Sequence, residues 1–240
     1  LTRKAKRILE KYNNIKNISI IPCNADYDYF DIKNIKKSDN QIKKQYNIPL
    51  NKKIIIYTGS TKGVYLFEEM LKFFDKVTKY NDDFIFLIIS NDYAYSKLII
   101  NKEFNKISKK LILIQGLRHE MPLFYKISDL MISFIKPSFA RKSSSPTKIA
   151  EALSSNLPIL SNKGVGDIDL IIKKFNAGKT ISLNNIEEVD MTAKNIKMII
   201  NNKDPNIRLN SKHYFSLKIA NEVYKKIYLK FKSMSNKWKT

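Results

Sequence analysis

With one cysteine, Cys23, among 240 residues, the chain can close no internal disulfide and cannot assemble a cysteine-rich metal centre. Such usage fits a reducing compartment such as the cytoplasm. Histidine is almost as scarce. His119 and His213 lie far apart, and neither has a Ser-His-Asp or H-E-x-x-H context, so hydrolase and zinc-enzyme chemistry lack their usual residues. No apolar run approaches the roughly 20 residues that span a bilayer, and the first residues do not pattern as a signal peptide. Because the chain opens on Leu1, it reads as part of a longer protein or an incomplete gene product. Acidic residues are also few: 22 Asp and Glu against 44 Lys and Arg give a formal charge of +22. Concentrated basicity would suggest nucleic acid. Here the lysines are spread along the chain among many Asn and Ile, which reads as a compositional bias; docking at an anionic membrane surface stays compatible with it.

What the sequence does have is apolar content, 43% by composition and enough for one sizeable core. The apolar runs recur regularly. Residues 53–57, 84–89, 110–115 and 129–135 are strand-like, and between them lie helical stretches at 65–80, within 93–107 and at 120–127. Runs buried on both faces and alternating with helices predict an α/β fold with a Rossmann-like, doubly wound parallel sheet. Residues 1–12 pattern as a basic amphipathic helix with Ala5, Ile8 and Leu9 on one face, and residues 18–21 as a short strand closed by Pro22. After Ile186 the chain reads as helical, broken around residues 203–205. The six glycines fall in predicted turns, including a turn at 177–180 before a last strand. Ala177-Gly178-Lys179-Thr180 resembles a Walker tail but lacks the upstream glycine and a following helix, and Asn162 to Asp167 reads as a βα turn, not a dinucleotide fingerprint.

Two stretches have the chemistry of anion binding. Thr58-Gly59-Ser60-Thr61-Lys62-Gly63 follows the first long strand and precedes a helix, a turn in which backbone amides can approach a phosphate. Its plain alternative is a βα turn with a solvated lysine. The second stretch is KSSSPTKIAEALSSNLPIL, from Lys142 to Leu160. Ser145 before Pro146 predicts a capped helix start, with the helix running to about Leu153 and residues 158–160 forming a buried strand. Ser143, Ser144, Ser145, Thr147 and Lys148 would surround its positive end with hydroxyls and a cation, and Glu151 stands one turn deeper on nearly the same face. Phosphate is the natural guest, and a carboxylate at Glu151 has the reach to accept both hydroxyls of a ribose. The plain alternative is an ordinary amphipathic helix with Lys148 and Glu151 as an exposed pair.

The pattern S-P-T-K-x-x-E-A-L-x-x-x-x-P-I resembles the donor-binding segment of retaining GT-B glycosyltransferases of the family 4 type, glycosyl transferases group 1. Ser143 stands where the first glutamate of the usual pair falls, and Asn156 where a glycine precedes the proline. Other motifs follow in the family's order. Pro22-Cys23-Asn24-Ala25-Asp26 is similar to the segment that leads into the second GT-B domain. Asp26 and Asp28 also form a D-x-D pattern, which the linker setting outweighs as a metal motif. The turn at Gly59 to Gly63 resembles a shortened G-R-x-x-x-x-K-G, with Lys62 matching the lysine and Ser60 in the arginine's place. Residues 115–133, QGLRHEMPLFYKISDLMIS, resemble the G-x-x-x-x-E-M-x-x-Y-Y-x-x-A-D-L stretch, which points to Gly116 and Leu117 for base packing, with Arg118 and His119 as simple surface residues.

The resemblance implies a donor-binding domain at residues 36–205. Residues 1–35 would be the tail of an acceptor-side domain with its linker, and residues 206–240 a helix crossing back. It implies transfer of a sugar from a UDP- or GDP-linked donor to a glycan or lipid-linked acceptor, with no prosthetic group and no metal site. Lys62 and Lys148 would be the catalytic cations; Gly59, Ser60, Gly116, Leu117, Ser143, Ser144, Ser145, Thr147 and Glu151 would bind the donor. The expected setting is cytoplasmic polysaccharide or glycoconjugate synthesis, with possible contact at the inner membrane face through the last helix and Trp238. Three rivals stand beside this reading: a nucleotide-sugar epimerase of the same fold, a non-catalytic donor-binding module, and a basic nucleic-acid binder with steep salt dependence.

Overall fold

A computed structural model describes residues 2–13 and 17–236 of the chain. Trp238 lies outside the described residues. The elements run in order as α1 (Arg3–Asn13), α2 (Asp39–Gln45), β1 (Lys53–Thr58), α3 (Phe67–Tyr80), β2 (Phe84–Ile89), α4 (Tyr93–Glu103), β3 (Leu111–Ile114), α5 (Met121–Lys126) and β4 (Leu130–Ser133). They continue as α6 (Thr147–Ser154), β5 (Ile159–Asn162), α7 (Ile168–Lys174), β6 (Gly178–Ile181), α8 (Ile186–Lys194), α9 (Ile196–Asn201), α10 (Ile207–Phe215) and α11 (Leu217–Asn236). Among the described residues, no helix is long and apolar enough to cross a membrane.

The six strands form one parallel sheet in the order β3-β2-β1-β4-β5-β6. This is the doubly wound arrangement that the apolar runs predict. Successive side chains of a strand face opposite ways. Ile54 and Ile56 of β1 therefore enter one core with Phe124 of α5, Ile149 of α6 and Phe215 of α10, while Ile55 and Tyr57 enter the other with Phe74 of α3, Ile100 of α4 and Ile196 of α9. Fully burying each such side chain contributes roughly 1.5–3 kcal/mol, which makes the sheet the rigid base of the molecule. The segment before α2 joins the first core through Ala25, Tyr27 and Phe30.

Strand order reverses between β1 and β4. Chains leaving the carboxyl ends of these neighbours diverge to opposite faces of the sheet, and the crevice between them is where doubly wound folds bind ligands.

Three local expectations need correction. Residues 18–21 form no strand; an isolated bridge joins Ala25 to Ser216 a little further on. Ser145 does not cap α6, because the N-cap position is Pro146 and carries no side-chain bond; the Ser145 hydroxyl instead accepts from the Cys23 amide at 3.0 Å. Residues 178–181 are a strand, not a turn before one. Gly178 opens β6 at φ +123°, where a Cβ would lie 2.0 Å from the Ile159 carbonyl oxygen. This glycine serves the close approach of two strands. Asn156, in the place of the expected glycine, takes φ +58°, a left-handed conformation that asparagine tolerates after a helix.

Candidate functional site

A cleft of about 470 Å³ opens at the switch point between β1 and β4. It is walled by Thr58, Gly59 and Ser60 at the end of β1 and just after it, by residues 89–92 at the end of β2 and just after it, by Gly116, Arg118 and Met121 after β3, and by Thr147, Lys148 and Glu151 on the first turns of α6. Gly116 lets its turn lie flush against the wall, since a Cβ there would sit 2.6 Å from Ile89 and 2.9 Å from Met121.

Lys148 is a buried lysine whose ammonium reaches the cleft past Gly59. A Cβ on Gly59 would lie 2.7 Å from Lys148 Nζ. The ammonium donates to the Tyr57 hydroxyl at 3.1 Å and lies 4.3 Å from the Tyr57 ring centroid and 3.9 Å from that of Tyr65. Electron-rich ring faces partly replace the water it has lost. Desolvation nonetheless lowers its pKa from 10.5 to about 7, against an opposing pull from the Glu151 charge.

Glu151 is also buried, and its partner is not Lys148. Its Oε1 closes an ion pair with Arg118, and its Oε2 accepts from the Tyr125 hydroxyl at 3.2 Å; Tyr125 in turn bonds Thr58 Oγ1 at 2.9 Å. Arg118 lies over the Phe30 ring at 5.1 Å, and its carbonyl accepts from the Tyr29 hydroxyl at 3.3 Å, so Tyr29 and Phe30 support the residue that covers Glu151. The sequence reading of Arg118 as a simple surface residue missed this pairing. Its partners are remote in sequence, and no local pattern marks them. Burial also disposes of the exposed Lys148–Glu151 pair.

At the rim, the Ser60 hydroxyl donates to Asp92 at 2.6 Å and the Thr61 amide does so at 2.9 Å; these two bonds hold the Asp92 carboxyl below its ordinary range. Lys62 is more than half exposed, with Nζ 3.7 Å from Asp92 and 5.2 Å from the Tyr95 ring centroid. It stands outside the residues that wall the cleft.

Of the sequence candidates, Gly59, Ser60, Gly116, Thr147, Lys148 and Glu151 line this one cleft. Leu117 points outward, its amide donating to Glu120 at 2.7 Å, which with the Tyr46 hydroxyl holds the Glu120 carboxyl below its ordinary range. The three serines lie behind the helix start. Ser143 donates to the Ala140 carbonyl at 2.8 Å, while Ser144 and Ser145 border a separate small recess shared with Thr2, Pro22 and Asp167. Asp26 Oδ1 accepts from the amides of Asp28 and Tyr29 at 3.0 and 3.1 Å, which makes the D-x-D pattern a turn. Among the described residues, no group of three or more His, Cys, Asp or Glu side chains is placed to hold a metal ion.

The sequence pattern that describes glycosyl transferases group 1 matches residues 38–214, which include all six strands and the whole cleft. The chain belongs to that family. No curated protein matches the glycosyl transferase sequence. Among solved structures, a glycosyltransferase from Rickettsia africae superposes with a TM-score of 0.73 at 18% identity, over 95% of this chain and 61% of its own. HepE of Anabaena, solved in complex with UDP and glucose, superposes with a TM-score of 0.62 at 12% identity over 88% of this chain and 56% of its own. The C-terminal domain of a glycosyl transferase group 1 protein from Francisella tularensis matches with a TM-score of 0.58 at 16% identity, covering 80% of this chain and 99% of that domain. The glycosyl transferase fold here is thus that of a GT-B C-terminal domain, and the chain spans 61% and 56% of the length of the first two of these structures.

Proposed function

We propose that this chain is the donor-binding half of a retaining glycosyltransferase that takes a UDP- or GDP-linked sugar and passes the sugar to a hydroxyl of a glycan or lipid-linked acceptor. The observation that carries the reading is the placement of Lys148 and Glu151 one turn apart on α6, both buried and both lining the switch-point cleft. That spacing offers a cation and the positive end of a helix to a diphosphate, and a carboxylate to a ribose diol one turn away. HepE, which binds UDP and glucose, has the same fold. In this reading the bond between the anomeric carbon and the diphosphate oxygen breaks, the acceptor oxygen bonds to that carbon with the configuration kept, and the acceptor's hydroxyl proton passes to the departing diphosphate. The leaving diphosphate's charge is met by Lys148 and the helix amides. Lys62 would join as a second cation by leaving Asp92, and Gly59, Ser60, Gly116 and Thr147 would lie against the donor. Residues 1–35 and 206–240 would meet an acceptor-side domain, and synthesis of a surface glycan at the inner membrane face would be the setting.

Calorimetric titration with UDP, GDP and inorganic polyphosphate tests the reading. Saturable, base-selective binding that Lys148→Ala and Glu151→Ala each weaken about tenfold or more supports it. Absence of binding, or binding that follows phosphate charge alone and fades with salt, overturns it.

A second reading, a donor-binding module without transfer, is favoured by one observation. Ser60, at the position where the family pattern has an arginine, bonds Asp92, and Lys62 pairs with the same carboxylate. The rim then offers the donor less positive charge. Donor binding without transfer by the full-length protein would decide for it.

A further inference from the structure

Lys148 is held by more than its own helix. Its side chain leaves α6, passes the missing side chain of Gly59, and ends between two tyrosines from outside α6: Tyr57 near the end of β1 and Tyr65 on the turn before α3. The rings stand edge to face, with centroids 6.3 Å apart, and the ammonium lies within 4.3 Å of one centroid and 3.9 Å of the other. Tyr57 is itself fastened, its hydroxyl bonding the Ser60 carbonyl. Tyr65 is fixed through its backbone, its α-carbon region bridging to Ile135 beside β4. A lysine side chain has four rotatable bonds, and its loss of freedom must be offset by contacts of this kind.

We propose that Tyr57 and Tyr65 are positioning residues that fix the Lys148 ammonium at the anion end of the cleft, in the place a nucleoside diphosphate would need it. The inference rests on the donor-site reading above. Burial alone would favour neutral Lys148, whose pKa falls to about 7, and the ring faces act in the opposite sense by favouring the ammonium. The other ionisable groups facing this site are Glu151 on α6, Arg118 beside it, and Asp92 beyond β2. A diphosphate that binds at the ammonium favours its charged form, so binding near neutral pH takes up a proton. Losing the Tyr65 ring both loosens the ammonium and makes its charge harder to hold.

The test compares the wild-type chain with Tyr65→Leu, Tyr65→Phe and Tyr57→Phe, using UDP calorimetry from pH 6 to 9 in buffers of different ionisation enthalpy. Tyr65→Leu is expected to weaken UDP binding about fivefold or more at neutral pH, and to move the alkaline loss of affinity to lower pH. Tyr65→Phe, which keeps the ring face, restores both. Tyr57→Phe, which loses only the hydroxyl, weakens binding about two- to fivefold. If Tyr65→Leu is misfolded by circular dichroism, Tyr57→Phe and Tyr65→Phe decide. Wild-type affinity and pH profile in Tyr57→Phe, or loss of binding in Tyr65→Phe, overturns the proposal. Two failures stay distinct. If Lys148→Ala abolishes UDP binding while Tyr65→Leu and Tyr57→Phe match wild type, the positioning role falls and the donor site stands. If the wild-type chain binds no nucleotide, both fall.

Discussion

Arg118 on the loop after β3 and Glu151 on α6 close an ion pair over the cleft, although their side chains differ widely in exposure, 64% against 6%. The pair is asymmetric in consequence. Taking away the carboxylate leaves an arginine that water can solvate, whereas taking away the arginine leaves a buried carboxylate with the Tyr125 hydroxyl alone. Arg118→Ala is therefore expected to cost about 1–3 kcal/mol in urea unfolding at neutral pH, and Glu151→Gln less. For function the order reverses. Glu151→Gln should weaken UDP binding and leave pyrophosphate binding unchanged, because only the nucleoside carries the ribose diol; equal losses for both ligands would place Glu151 at the phosphates.

Gly59→Ala probes the approach of Lys148. The added Cβ falls 2.7 Å from Nζ, the movable end of a side chain, while the backbone sits at φ +114°, where an L residue is strained. A stability loss of about 1–2 kcal/mol is expected, together with a UDP affinity lower by about tenfold or more as the ammonium is pushed aside. Thermal unfolding and calorimetry measure the two separately, and unchanged affinity would show that Lys148 does not meet the ligand.

The pH dependence follows from the depressed Lys148 pKa. The folded value, about 7, lies below the ordinary 10.5, so between these limits the unfolded chain binds more protons and the contribution of Lys148 to stability rises with pH. Below about 7 the folded protein carries the buried charge and that contribution is lost. Lys148→Met should flatten this slope and raise neutral-pH stability by about 1–2 kcal/mol while removing diphosphate binding. Lys148→Arg, charged throughout, should bind anions with less pH dependence, if more weakly. Denaturant unfolding across pH 6 to 10 shows the first effect and calorimetry the second.

Gly178→Ala tests a purely structural demand. Its Cβ would lie 2.0 Å from the Ile159 carbonyl oxygen and 2.7 Å from the Ile159 amide nitrogen, both backbone atoms of β5 that cannot turn aside. With φ at +123°, the substitution is expected to cost about 3 kcal/mol or more and to detach β6 from the sheet. Hydrogen exchange at Thr180 and Ile181 would report the loss; a near-neutral effect would mean that the strand edge rearranges freely.

The sequence by itself determined the sheet, because strands buried on both faces and crossed by helices leave continuous apolar runs at regular intervals. The run at residues 84–89 coincides with β2. It also marked Gly59, Lys148 and Glu151, since a turn between strand and helix and an i, i+3 pair at a helix start are local features with local signatures, while Gly116 was marked by the family resemblance of its stretch. Tertiary structure alone decided the partners. Arg118 meets Glu151 across 33 residues and Lys148 meets Tyr57 across 91, separations at which spacing holds no information. It decided too that Ser145 bonds the Cys23 amide, 122 residues away, rather than capping its own helix, and that residues 18–21 do not take strand form. Hydroxyls take whichever amide the packing brings within reach, and an apolar run becomes a strand only where a neighbouring strand offers its backbone.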